Sequence, residues 1–167
     1  MSKFMKRALA GAILAATALS AGAANAAPVT ASATARATIL QQITVTNTSA
    51  LDFGTIVSGA AASTVIVSPQ GVRTCGAGLT CTGTVTGANF NITGTNNAVV
   101  TVIGDNSVTL SNGTDTMTAS LYWDIAGTVT LSATGTGSGK AGGTLSLAAN
   151  QADGAYTGTF NLTVNYQ

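Results

Sequence analysis

GAYTGTFNLTVNYQ, residues 154–167, ends the sequence on a strand pattern. From Phe160 onward every second residue is apolar: Phe160, Leu162, Val164 and Tyr166. A two-residue period is the signature of a strand with one face buried. The pattern runs to the penultimate residue with no turn signal after it. A strand placed so suggests an edge that docks something.

The same grammar repeats upstream. Strands are expected over 38–46, 51–57, 63–68, 82–93, 98–103, 107–110, 116–125, 128–133 and 144–149. The run 82–93 carries a Gly-Ala interruption that reads as a bulge. Asn96-Asn97, Asn112-Gly113 and Gly142-Gly143 read as turns. In 117–125, Met117, Ala119, Leu121, Trp123 and Ile125 share one face, with Trp123 as a core anchor. Short strands at roughly ten-residue spacing, and no helical pattern after the first segment, predict an all-β protein. The expected architecture is an antiparallel, immunoglobulin-like Greek-key β-sandwich. A closed barrel is the alternative.

The N-terminus sets the expected compartment. A basic MSKFMKR is followed by an apolar, small-residue stretch and by Ala24-Asn25-Ala26. That order reads as a signal peptide over 1–26, too short and too alanine-rich for a spanning helix. The expected localisation is export through the inner membrane to the periplasm, then the cell surface. The remaining chain holds Arg36, Arg73 and Lys140 against five aspartates, and has no His and no Glu. So few cations exclude a nucleic-acid partner.

The same composition argues against an enzyme. Without His there is no Ser-His-Asp or Cys-His arrangement. No paired carboxylates or calcium-loop spacing mark a site. No cofactor and no metal are expected. The glycine-rich run 135–143, GTGSGKAGG, fails as a phosphate loop because Thr134 would have to be Gly and Ala141 Ser or Thr. It reads as a flexible hairpin loop. Cys75 and Cys81, separated by Gly-rich TCGAGLTC, are expected to form a disulfide in an exported chain.

Residues 27–37 form a second alternating stretch. Val29, Ala31, Ala33, Ala35 and Ala37 interleave with Thr30, Ser32, Thr34 and Arg36. Side chains this small would pack poorly as a core strand. They suit a detachable donor strand that fills a groove in another subunit. Residues 38–167 would then be the β-sandwich domain, and head-to-tail filling would build a filament.

Two resemblances bear on this reading. The C-terminus resembles that of chaperone–usher pilins. It has a Gly at the fourteenth position from the end (Gly154), an alternating apolar set (Phe160, Leu162, Val164) and a penultimate Tyr166. The resemblance implies a pilin-like sandwich, a periplasmic chaperone and an outer-membrane usher as partners, and Gly154, Phe160, Leu162, Val164 and Tyr166 as the chaperone- and subunit-facing positions. The whole chain also resembles a bacterial exported family known as domain of unknown function 4402. LDFGTIV (51–57), VSPQGVRT (67–74), SVTLSNGTDTM (107–117) and the GAYTGTFNLTVNY end carry that likeness. The expected function is a structural fimbrial subunit polymerising by donor-strand exchange. A monomeric secreted or surface-attached binding module is the alternative. A small outer-membrane β-barrel is less favoured, because the aromatics are too few for two interfacial girdles.

Overall fold

The structure is a computed structural model that describes residues 27–167. The signal-peptide reading of 1–26 lies outside the described residues. Residues 27–43 belong to no strand, and every one from 27 to 42 is exposed.

Twelve strands follow, with no helix among the described residues. They are β1 (Thr44–Ser49), β2 (Thr55–Val57), β3 (Ser63–Val67) and β4 (Arg73–Cys75). Next come β5 (Thr80–Thr82), β6 (Ala88–Thr93), β7 (Val99–Gly104) and β8 (Ser107–Ser111). The last four are β9 (Thr116–Trp123), β10 (Gly127–Thr130), β11 (Thr136–Leu147) and β12 (Leu162–Tyr166). All pairings are antiparallel.

The longest strand, β11, organises the larger sheet. Its first half pairs with β6, whose other edge holds β1. Its second half lies between β3 and β9, with β4 beyond β3 and β8 beyond β9. A three-stranded sheet has the order β10-β7-β12, and β2 pairs with β5. The two main sheets bury their inner faces against each other. Ile92 of β6 packs with Val100 and Val102 of β7 and with Leu131, and all four are buried. This layered packing is consistent with the expected sandwich, and the sheets keep free edges.

Several expectations are corrected. The stretch 135–143 is no flexible loop, because Thr136–Gly143 is the first two thirds of β11. Gly142-Gly143 is accordingly no turn. A side chain at Gly139 would collide with Ile125, and one at Gly142 with the Val67 carbonyl. The glycines are there so that neighbours can approach the central strand closely. The expected strand 82–93 is broken into β5 and β6 at Gly83–Gly87, where Gly83 has φ 75°. The first strand begins at Thr44, since pairing with β6 starts there. The turns at Asn97 (φ 55°) and Gly113 (φ 97°) form where expected.

The Cys75–Cys81 disulfide is present, with 6.1 Å between the Cα atoms. It ties β4, at the margin of the large sheet, to β5 of the two-stranded ribbon. Trp123 is half-buried. Its indole N–H donates to the Asp105 carbonyl (2.9 Å), and its ring meets Phe90 and Phe160 at 5.5 and 5.8 Å between centroids.

Candidate functional site: an open groove between two strand edges

β12 spends one edge on β7, in the register Leu162↔Gly104 to Tyr166↔Val100. β1 spends one edge on β6. Neither uses its other edge in a ladder among the described residues. These two edges come close to each other. At one end the Tyr166 hydroxyl donates to the Gln41 carbonyl (2.6 Å) and accepts from the Thr95 N–H (2.7 Å). At the other end the Asn150 N–H donates to the Gly59 carbonyl (2.8 Å), and the Ser58 hydroxyl to the Gln151 carbonyl (3.0 Å). The chain therefore runs from Gln41 to Ser58 along one wall and from Gln151 to Tyr166, in the opposite direction, along the other.

Between these fastenings the core is only partly covered. Near Tyr166, Ile43 and Val45 on one wall and Leu162 and Val164 on the other pack on Ile92, Val100, Val102 and Leu131. In the middle, Val45 and Leu51 face Phe160 and Leu162 across Ala88, Phe90 and Ala141, with Trp123 alongside. At the far end, Leu51 and Ile56 flank a floor that includes Phe53, Leu145 and Leu147. There the groove deepens into a cavity of about 640 Å³ that also meets Leu110, Met117 and Tyr156, with Asp52 and Asp153 on its lining. The apolar wall side chains Ile43, Val45, Phe160, Leu162, Val164 and Tyr166 are half-buried.

The structure places the expected positions as follows. Phe160, Leu162, Val164 and Tyr166 are the half-buried, groove-side residues of one wall. Gly154 lines the cavity at φ 140°, a conformation that favours glycine. Val29, Ala31, Ala33, Ala35 and Ala37 are exposed and outside any strand. The opposite wall and the cavity floor were not singled out in the sequence. Ile43 and Val45 alternate visibly in ITVT, but nothing local says which strand they face. Among the described residues no three His, Cys, Asp or Glu side chains gather as a metal cluster. The groove offers backbone hydrogen-bonding groups and apolar surface, which is chemistry for holding an extended peptide.

The family model described as Domain of unknown function (DUF4402) matches residues 43–166. The chain belongs to this family. The matched segment begins at Ile43 and ends at Tyr166, so it takes in both groove walls except Gln41 and Gln42. No curated protein and no solved structure shows significant similarity to the chain.

Proposed function

We propose that this DUF4402 protein is a structural subunit of a bacterial surface fimbrium, joined to its neighbours by strand addition. The observation that carries the reading is the pair of free, neighbouring strand edges above an apolar floor. An unpaired edge of this kind templates association with another chain. The alternating stretch 27–37 supplies the matching strand, and a subunit that donates one groove-filler and accepts another propagates head to tail. Before assembly a periplasmic chaperone would occupy the groove beside Phe160, Leu162, Val164 and Tyr166, with an outer-membrane usher exchanging it for the next subunit.

A second reading, a monomeric secreted binding module, is favoured by the hydrogen bonds that fasten the groove at both ends. Gel migration of the secreted protein in detergent separates the two. Strand addition gives a ladder that survives detergent and collapses on boiling, with filaments in negative stain. A single band at monomer mass, boiled or not, favours the module.

A further inference from the structure

Ile39 is 92% exposed, Leu40 beside it is 45% exposed, and the groove ends in an apolar cavity of about 640 Å³. We infer that Ile39 of one copy plugs this cavity in the next, and that the incoming arm runs parallel to β1 and antiparallel to β12. This rests on the strand-addition reading above and fixes its direction, register and symmetry.

Size along the arm argues first. On the apolar face of residues 29–39 only the ends are bulky: Val29 and Ile39, with four alanines between. The groove has the complementary profile. Its middle is already filled by the Phe90, Trp123 and Phe160 rings, whose centroids lie 5.5 to 6.3 Å apart. Alanines fit over that cluster, and a large aliphatic fits the cavity beyond it. The ten steps from Val29 to Ile39 span about 33 Å of extended chain. With Ile39 level with Thr55, Val29 comes level with Val45, so each bulky end meets an apolar cluster.

Charge chooses the direction. Arg36 is the arm's one charged residue, three positions from Ile39. Asp52 and Asp153 are at the cavity end, and no aspartate lies among the Tyr166-end residues 41–47 and 162–167. Entry with Ile39 in the cavity brings Arg36 toward those carboxylates. The reversed entry, with Val29 in the cavity, carries Arg36 away from them.

Direction then decides symmetry. The arm leaves its own domain next to Gln41, which Tyr166 holds at the other end of the groove from the cavity. An arm parallel to β1 therefore joins the Tyr166 end of the donor to the cavity end of the acceptor, a contact that repeats without closing. A reversed arm would join two Tyr166 ends, and two copies would then fill each other as a closed pair. Folding back into its own groove needs a tight reversal over Thr38–Gln42, a stretch without Gly, Pro, Asn or Asp.

The test uses the full mature protein and its Ile39→Ala and Val29→Ala variants, measured by light scattering across a concentration series and by negative-stain microscopy. Both positions are exposed in the subunit, so neither change should lower its own melting temperature. Open-ended oligomers are expected for the unmodified protein, with assembly weakened about tenfold or more by Ile39→Ala and no more than about threefold by Val29→Ala. A closed dimer, or a larger loss from Val29→Ala, overturns the direction and leaves strand addition standing. A monomer at every concentration overturns both.

Discussion

β11 and β12 are both antiparallel strands of one small protein, yet they are built for opposite ends. β11 has partners on both sides, and its residues 139 and 141–143 are buried although three of the four are glycine. β12 has ideal alternation and large apolar side chains, yet Leu162, Val164 and Tyr166 stay half-exposed. Burial here is set by how many neighbours a strand has, not by how hydrophobic it is. The interior is finished at β11 and left unfinished at β12.

Substitutions can break that contrast at its strong end. Gly142→Val should be the most damaging change, because its side chain would meet the Val67 carbonyl and the backbone at Ser68 and Pro69. We expect a loss of about 3 kcal/mol or more in urea unfolding, where backbone has to give way. Leu145→Ala, opposite Val65 and Ala119, should cost about 2–5 kcal/mol. Val164→Ala on β12 should cost only about 1 kcal/mol in the isolated subunit, its side chain being half-wet already. A loss at Val164 equal to that at Leu145 would erase the distinction between finished and unfinished strands.

Smaller effects sharpen it. Replacing both Cys75 and Cys81 by Ser should cost about 2 kcal/mol, the chain-entropy value for so short a loop, and should loosen β5 and its partner β2, whose Ile56 flanks the cavity end of the groove. Tyr166→Phe removes the hydroxyl that fastens Gln41 and Thr95, at about 1 kcal/mol, read from the urea midpoint. The smallest effect belongs to Tyr122, whose hydroxyl donates to the Val67 carbonyl (2.7 Å) and whose pKa burial raises above 10.0. The folded state then holds this proton more tightly than the unfolded state. The contribution is fully present below pH 10 and fades as pH rises through the folded value. Tyr122→Phe should flatten that alkaline decline in a melting-temperature series.

The same contrast explains what could be read from the sequence. β12 was legible because one face is apolar and the other polar, which is the pattern a two-residue period detects. The Cys75–Cys81 pair and the Asn97 and Gly113 turns were legible from local chemistry. The first part of β11 was not, since a stretch thinned by Gly137, Gly139, Gly142 and Gly143 has few side chains to alternate and resembles a loop, whereas Thr144–Leu147 falls within the expected strand 144–149. Ile39 alternates with its neighbours as a residue of the first strand would, but a strand also needs a partner, and β6 ends its pairing at Thr44. The groove is a relation between residues 41–58 and 151–166, and no local pattern encodes a relation.

The most direct test of the unfinished edge is thermal unfolding of the chain shortened to begin at Gln41, titrated with a synthetic peptide of residues 27–40. A saturable rise in melting temperature is expected, about 5–10 °C at a hundredfold excess over the dissociation constant. A melting temperature that ignores the peptide at every concentration would contradict it, and β12 would then be an ordinary edge of a complete domain.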